Sequence, residues 1–353
     1  MKQPGDKVFH VREDEAGQTL AALLRRWVPG ASWSEVERLL QTRHVMVNGN
    51  LCLDAGRRLK AAEVVKLLPF SAAKLPEEND VVIRYLDAHV VVVEKPSGMT
   101  SLRHYEERNW PSRRKQLQPT LDELLPRIVA KKSAGKQVAN KRPGKKGAKP
   151  NKPPAKELHK SPDKDRHPIL PLRAVHRLDR ETSGLMVFAR TIPAERGLGE
   201  QFRRHTIRRC YWAIVQGHVA EQTISRRLIR DRGDGRRGVT ASETEGKHAV
   251  THVKPLENLG DYTLVECRLE TGRTHQIRIH LSDLGHPLCG EKIYHQPAFG
   301  KPRADKSGAP RLALHAAELG FVHPVSGEEI HHQMPLPKDM QELLDRLRRE
   351  AKK

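Results

Sequence analysis

The stretch His176-Arg-Leu-Asp-Arg-Glu-Thr-Ser-Gly184 is the most informative part of this sequence. Polar and charged residues cluster here between two apolar segments, and the small residues at its end favour a tight turn. Asp179 lies at its centre. Considered alone, this carboxylate could equally be a surface acid, a helix cap or a functional group. The segments that follow along the chain decide between these interpretations.

Two later segments carry isolated polar residues on an apolar background. The first, Arg209-Cys-Tyr-Trp-Ala-Ile-Val-Gln-Gly217, predicts a strand. The second is Leu269-Glu-Thr-Gly-Arg-Thr-His-Gln-Ile-Arg-Ile-His280, in which a strand leads through a turn into a helix of about residues 274–284. Taken singly, Tyr211 would be an ordinary strand aromatic and Arg278 a solvated helix arginine.

Together, the three segments resemble the signature motifs of the RluA family of RNA pseudouridine synthases, in the family's order. The first, residues 176–184, matches His-Arg-Leu-Asp-x-x-Thr-Ser-Gly without a mismatch and is termed the signature loop below. The second resembles the family's Lys-x-Tyr-x-Ala-x-Val-x-Gly strand, with Arg209 in place of lysine. One departure precedes the loop, since Lys95-Pro-Ser-Gly98 has serine where alanine is usual.

The resemblance implies an enzyme that isomerises uridine in RNA to pseudouridine without a metal or an organic cofactor. It assigns the nucleophile to Asp179, stacking on the uracil and help in removing the proton from carbon 5 to Tyr211, and the cation that keeps the nucleophile ionised to Arg278. Arg177 would occupy the space of the extruded nucleotide. Further residues predicted to bind RNA are Arg273, His176, Thr182, Lys95, Arg25, Arg38 and Arg43.

Residues from about 10 to 70 predict a separate small α+β domain. Apolar residues recur at helical spacing from Leu20 to Trp27, and Ser34 is predicted to cap a second helix. Val45-Met-Val-Asn-Gly49 then predicts a hairpin. This order resembles an S4-type RNA-binding domain, whose basic face would contact phosphates rather than read bases. The basic residues of that face are Arg25, Arg26, Arg38 and Arg43.

The charge of the chain indicates a polyanionic partner. Its 353 residues carry a formal net charge of +21, although charge alone leaves open a merely soluble basic protein. Residues 127–168 contain 14 basic and 3 acidic residues and no Phe, Tyr or Trp. This segment cannot bury enough apolar area to order itself, so we predict a disordered basic insertion. The remainder still carries +10.

We expect residues from about 75 to 350 to form the catalytic domain, with the insertion inside it. Its fold class is α+β, a mixed and largely antiparallel sheet as in the pseudouridine synthase fold that the resemblance implies. Val90-Val-Val-Val-Glu94 lacks alternation, which is typical of a strand buried on both faces. The four cysteines are scattered and form no Cys-x-x-Cys pair, which favours a reducing compartment. With no apolar signal core or spanning segment, a cytoplasmic protein without membrane association, and a monomer, is expected.

Two patterns resemble other kinds of site. Gly233-Asp-Gly-Arg-Arg-Gly238 matches the dinucleotide-binding pattern but lacks the crossover helix after it, so a hairpin loop is favoured. His331-His332 has no partner at helical spacing, which favours surface histidines over a metal site. The chain has neither a phosphate-binding loop ending in Gly-Lys-Ser/Thr nor a Gly-x-Ser-x-Gly elbow. Hydride transfer, nucleotide hydrolysis and serine hydrolysis therefore lack their parts.

Large-subunit ribosomal RNA is the favoured substrate, because family members with an S4-type domain often act there. Transfer RNA is the second candidate. A different class of function is a noncatalytic RNA-binding or ribosome-assembly protein on an inactivated synthase scaffold, and intact Asp179, Tyr211 and Arg278 argue against it. The sequence does not identify the uridine, because RNA shape and loop context decide that choice.

Overall fold

The computed structural model describes residues 7–48, 50–68, 76–139, 171–232, 236–295 and 304–352. The chain divides into two compact units, one within residues 1–76 and 104–119 and the other within 77–103 and 120–353. The division near residue 76 lies beside residue 75, where the sequence predicted the start of the catalytic domain. The return of residues 104–119 to the first unit was not predicted, since these residues were assigned to the catalytic domain. Part of that return is a hydrogen bond from the Gln118 side chain to the carbonyl of Leu51.

Two amphipathic helices and a four-stranded antiparallel sheet form the first unit. Thr19 caps the first helix and Ser32, not the predicted Ser34, caps the second, each by accepting a hydrogen bond from a backbone amide three residues later. The predicted hairpin is present as the pairing of β2 with β3. The elements are β1 (Lys7–His10), α1 (Leu20–Trp27), α2 (Trp33–Gln41), β2 (Val45–Val47), β3 (Asn50–Leu51), β4 (Val64–Leu67) and α3 (Ser112–Leu117).

The second unit is built on one large sheet, which has eleven strands in the described part of the chain. The strands are β5 (Val82–Leu86), β6 (Val90–Lys95), β7 (Arg173–Ala174), β8 (Ser183–Ala189), β9 (Arg208–Gln216), β10 (Gln222–Ile229), β11 (Gly238–Thr240), β12 (Lys247–Asn258), β13 (Tyr262–Leu269), β14 (Leu314–Val322) and β15 (Glu329–Gln333). The long path of the sheet runs β11-β10-β12-β13-β9-β14-β8-β6-β5, while β15 pairs with β14 and β7 with β8.

Strand direction in this sheet agrees with the predicted fold class. Among the described ladders only β14 with β8 is parallel, and the others are antiparallel. The parallel pair sets Ala316 opposite Gly184, at the end of the signature loop. Gly184 has a φ of +121°, and a Cβ there would lie 2.3 Å from the carbonyl oxygen of Ala316. Only glycine permits this approach, so Gly184 both ends the predicted turn and allows the two strands to come close.

Helices cover both faces of the sheet, which explains the strands without alternation. Val90 to Val93 of β6 are all fully buried, as predicted for a strand buried on both faces. On one face pack α4 and α6, and on the other α5 and α7. Their bounds are α4 (Leu121–Ala139), α5 (Ile192–Arg203), α6 (Gln276–Asp283) and α7 (Lys338–Glu350). No helix in the described residues is long and apolar enough to cross a bilayer.

The first part of the predicted disordered insertion is helical. Residues 127–139 continue α4, so the prediction is wrong for them. Leu121, Leu125 and Val129 recur every four residues and are buried in the main core, which anchors the helix. The composition of the insertion concealed this anchor because it lies at the insertion's border. The remainder, residues 140–168, lies outside the described residues, as do residues 233–235 of the glycine-rich loop.

Candidate active site

A cavity of about 600 Å³ lies in the second unit beside the signature loop. It brings together Asp179, Tyr211 and Arg278, which the sequence places up to 99 positions apart. Its volume lies within the range of about 300–1,000 Å³ that is usual for small-molecule sites. The wall consists of Val175–Asp179, Thr182, Gly199, Phe202, Arg203, His205, Arg209, Tyr211, Leu269, Gly272–Arg278 and Leu314.

The signature loop is held in place by a second segment of the chain, residues 95–101. The hydroxyl of Ser101 donates to the carbonyl of Leu178 at 2.6 Å and accepts from the amide of Leu178 at 3.2 Å. Ser97, the departure from the family pattern, donates from its hydroxyl to the carbonyl of Glu181 at 2.6 Å. Within the loop, the amide of Thr182 donates to the carbonyl of Asp179 at 3.1 Å. Asp179 is therefore held by its backbone on both sides.

Lys95 belongs to this support. Its side chain is fully buried, and its Nζ donates to three backbone carbonyls at 2.8 to 3.1 Å. Two of these carbonyls belong to Met99 and Arg180, so the amine ties residues 95–101 to the signature loop. Burial lowers the pKa of Lys95 to about 7. In the described residues Lys95 thus supports the loop, where the sequence predicted a contact with RNA.

His176 lines the cavity, but its ring is already engaged by the protein. Nε2 accepts a hydrogen bond from the amide of Val187 at 3.0 Å, and the ring stacks on Phe202 at 4.6 Å between centroids. Burial, with a contribution from the charge of Arg209, lowers the pKa of His176 to about 3. The imidazole is thus neutral and anchors the loop to β8. It does not supply the cation that an RNA phosphate would require.

Tyr211 extends from β9 into the cavity wall and is only 8% exposed. Burial raises the pKa of its hydroxyl, and the charge of Asp179 raises it further. The phenol therefore stays protonated at neutral pH. Such a group can stack on a base or donate a hydrogen bond, whereas a phenolate base would require the opposite shift.

Arg278 lies in the cavity wall, and its hydrogen bonds go to Glu291. Nε and Nη2 each donate to a carboxylate oxygen of Glu291 at 2.7 Å, and both side chains are almost fully buried. Burial alone would lower the pKa of Arg278, but the contacts with Glu291 outweigh it and raise the pKa. Within the described residues no ion pair of up to 4.0 Å joins Arg278 to Asp179. The predicted cation beside the nucleophile is therefore not in direct contact with it.

His275, which the sequence did not single out, brings its ring close to Asp179. Its Nε2 lies 3.8 Å from Oδ1 of Asp179, and its Nδ1 lies 2.7 Å from the hydroxyl of Tyr294. His275 has a φ of +58°, a left-handed conformation that costs a non-glycine residue about 1 kcal/mol. His275 belongs to the third motif segment, residues 269–280. The spacing of that segment does not indicate that the turn before α6 directs the His275 ring toward the signature loop.

The other predicted cavity residues differ in exposure. Arg177 is exposed at the cavity, as expected of a side chain that meets RNA. Arg273 is half-buried, and its Nε donates to the carbonyl of His248 at 3.1 Å. Thr182 is 2% exposed, so its main contribution is the turn described above. Arg209, the replacement for lysine, also lines the cavity and was not predicted as a site residue.

The predicted basic residues of the first unit lie on its helix pair and the turn after it. Arg25 and Arg38 are exposed, and Arg25 lies over the ring of Trp33 at 4.9 Å. Arg38 has a long ion pair of 3.7 Å with Glu35 on the same helix. Arg43 is half-buried in a left-handed conformation with a φ of +63°.

One group of metal-type ligands occurs among the described residues, away from the cavity lining. The ligand atoms of Cys210, Glu266 and Glu318 lie within 4.8 Å of one another. Arg268 bridges the two carboxylates, at 2.7 Å and 3.5 Å. Burial, together with the nearby carboxylates, raises the pKa of the Cys210 thiol. A protonated thiol and an internal cation favour an ion-paired cluster over a metal site. The exposed His331 lies 3.8 Å from Glu318, at the edge of this ion-paired cluster.

Comparison with known proteins identifies the family. Residues 89–283, which are more than half of the chain and include the signature loop, match the family described as RNA pseudouridylate synthase. The chain belongs to this family. Its members act on RNA, and the protein is accordingly an isomerase that acts on RNA.

Individual members of the family are similar over most of their length. Ribosomal large subunit pseudouridine synthase D of Zymomonas mobilis is 35% identical over 304 residues, which are 85% of this chain and 84% of the relative. The protein of the same name from Neisseria meningitidis serogroup A is 33% identical over 351 residues, 95% of this chain and 80% of the relative. The structure of human RNA pseudouridylate synthase domain containing 4 shares the fold, with a TM-score of 0.53, 23% identity, and coverage of 75% of this chain and 92% of that one.

Proposed function

We propose that the protein converts a specific uridine of large-subunit ribosomal RNA to pseudouridine, with Asp179 as the nucleophile. The observation that carries the proposal is the position of this carboxylate. It is 17% exposed in a cavity of about 600 Å³, on a loop fixed by buried hydrogen bonds. The names of the two relatives above support ribosomal RNA as the substrate. Transfer RNA remains the second candidate.

The reaction requires a group that holds the ribose while the base turns. The carboxylate of Asp179 attacks carbon 1′ as the bond to nitrogen 1 of uracil breaks. The freed base rotates, and its carbon 5 then forms the new bond to carbon 1′ and displaces the carboxylate. Carbon 5 loses its hydrogen and nitrogen 1 gains one, so the product is an isomer of the substrate. No oxidant or second substrate is consumed.

The other cavity residues divide the remaining tasks. The protonated phenol of Tyr211 suits stacking on the uracil better than removal of the proton from carbon 5. Arg278 stabilises the negative charge of Asp179 across the cavity and is oriented by Glu291. Arg177, exposed beside the nucleophile, is placed to fill the stack that the flipped nucleotide leaves.

We further propose that residues from about 10 to 70 are an S4-type RNA-binding domain. Two short helices followed by a hairpin support this assignment. Arg25 and Arg38 are exposed on the helix pair and would contact phosphates. Arg26 is engaged instead by the buried carboxylate of Glu15, so it contributes less. The four cysteines of the chain are all buried and unpaired, which supports action in a reducing compartment such as the cytoplasm, and we propose a monomer there.

Pseudouridine mapping across total RNA tests the proposal. RNA from cells that lack the gene should lose one or a few pseudouridines in large-subunit ribosomal RNA, and the purified protein should restore them in vitro. Loss from transfer RNA alone would select the second candidate. An unchanged map, together with intact RNA binding by the purified protein, would support the noncatalytic alternative and refute the proposed reaction.

A further inference from the structure

We propose that His275 and Tyr294 form a positioning pair that orients the carboxylate of Asp179 for attack. In this pair, the Tyr294 hydroxyl donates to Nδ1 of His275, and the Nε2–H of His275 is thereby directed at Oδ1 of Asp179. Oδ2 is then the oxygen that attacks the ribose. This inference rests on the proposed role of Asp179 as nucleophile and assigns to two further residues the task of aiming it.

The partners of the two ring nitrogens favour one tautomer of His275. A neutral imidazole has one N–H, and its two ring nitrogens face different partners here. Asp179 is an acceptor, so a lone pair on Nε2 directed at Oδ1 would be repelled. If the hydroxyl of Tyr294, 2.7 Å from Nδ1, is the donor, the proton of the ring lies on Nε2 and both contacts are favourable. Tyr294 therefore selects the tautomer that Asp179 needs.

The protonation states agree with this arrangement. Burial lowers the pKa of His275, although the charge of Asp179 opposes the shift, so the ring is neutral at neutral pH. Burial also raises the pKa of Tyr294, which keeps its hydroxyl available as a donor. Tyr294 is 3% exposed, and Arg278 lies over its ring at 5.2 Å. The phenol thus has a fixed place between the cation and the imidazole.

The backbone is shaped to present this ring. His275 adopts its left-handed conformation immediately before α6, where a residue at the helix N-cap is ordinarily extended. Strained positions of this kind concentrate at functional sites. The two backbone amides of Ile293 and Tyr294 donate to Glu291 at 2.8 and 3.2 Å, which holds the phenol from the other side. The separation of 3.8 Å from Asp179 is long for a hydrogen bond and is expected to shorten when substrate binds.

Three variants separate this role from a merely structural one. Tyr294→Phe removes only the hydroxyl. His275→Asn tolerates the left-handed backbone and keeps an amide near the Nδ1 position, but it is too short to reach Asp179. His275→Gln places an amide N–H near the Nε2 position. Single-turnover tritium release would be measured on RNA labelled with [5-³H]uridine and isolated from cells lacking the gene, with RNA affinity measured in parallel.

We expect Tyr294→Phe and His275→Asn to release tritium about 10- to 100-fold more slowly, with RNA affinity changed less than twofold. His275→Gln should recover most of the rate. His252→Asn is the matched control, because this exposed histidine pairs with Glu270 outside the cavity lining, and it should behave as wild type. ¹⁵N-histidine spectra should show His275 protonated at Nε2 in wild type and a mixture of tautomers in Tyr294→Phe.

Two results would overturn the pair: wild-type rates in both Tyr294→Phe and His275→Asn, or a His275 proton found on Nδ1. If Asp179→Asn retains activity in the same assay, the proposed nucleophile fails instead. An inactive Asp179→Asn together with fully active pair variants would refute the positioning pair alone.

Discussion

Replacing Lys95 by methionine should change how stability depends on pH, because this amine is buried and its hydrogen bonds go to backbone carbonyls. The usual pKa of lysine is 10.5, and burial lowers that of Lys95 to about 7. Between these values the unfolded chain binds the proton and the folded protein does not, so the stability of wild type rises with pH. One pKa unit corresponds to about 1.4 kcal/mol, so this gain is roughly 2–3 kcal/mol between pH 6 and pH 9.

Methionine has a similar length and does not titrate, so Lys95→Met should lack this gain. The variant also removes the donor to these backbone carbonyls, which can receive three hydrogen bonds from the charged amine and two from the neutral one, at about 1 kcal/mol each. The difference in unfolding free energy between wild type and variant should therefore be larger at pH 9 than at pH 6, by about 2–3 kcal/mol. Contributions from all other titrating groups cancel in this difference.

Urea unfolding at the two pH values measures the effect. Trp212 on β9 reports on the second unit if the other three tryptophans, Trp27, Trp33 and Trp110, are replaced by phenylalanine. Lys254→Met is the control, because Lys254 is exposed on β12 and its replacement should change stability by less than about 0.5 kcal/mol. A wild-type-to-variant difference that is the same at both pH values would refute the assignment of Lys95 as a buried, readily deprotonated support of the loop.

Three further predictions follow from the packing and the charge. Gly184→Ala should destabilise the protein by at least about 3 kcal/mol, since its Cβ would overlap neighbouring backbone, whereas Gly285→Ala, with a φ of +83° and open space, should cost about 1 kcal/mol; equal shifts in melting temperature would contradict this. Glu291→Gln should cost about 3 kcal/mol by leaving Arg278 buried beside a neutral partner, and an unchanged denaturation midpoint would be inconsistent with that pair. Deleting residues 140–166, which contain ten Lys and Arg, should reduce the salt dependence of RNA affinity, measured as the slope of log affinity against log salt, and an unaltered slope would exclude phosphate contacts by this segment.

The large features were predictable because they are encoded locally or in motif order. The fold class was predictable from a helix pair with a hairpin and from a strand of four buried valines. The order of the three motifs was sufficient to predict that Asp179 and Tyr211 lie in one site. Hydrophobic periodicity predicts which face of a helix or strand is apolar, and the order of strands in the sheet then determines which side chains meet.

The errors have a common physical origin in tertiary contacts. A lysine in a turn predicts a surface cation, and only the folded chain reveals three carbonyls converging on the amine of Lys95. The partner of Arg278 lies 13 residues further along the chain, so helix periodicity carries no sign of Glu291. The direction of the His275 ring depends on the left-handed backbone conformation of His275 itself, which the composition of the sequence does not reveal.

The most direct test of the central claim is tritium release by Asp179→Asn. The substitution keeps the size of the side chain and removes one negative charge in a cavity that already faces Arg278. Under single-turnover conditions with [5-³H]uridine-labelled large-subunit ribosomal RNA, the variant should bind as tightly as wild type and release tritium at least about 1,000-fold more slowly, because catalysis by a covalent nucleophile has no substitute here. Release within tenfold of the wild-type rate would contradict Asp179 as the nucleophile.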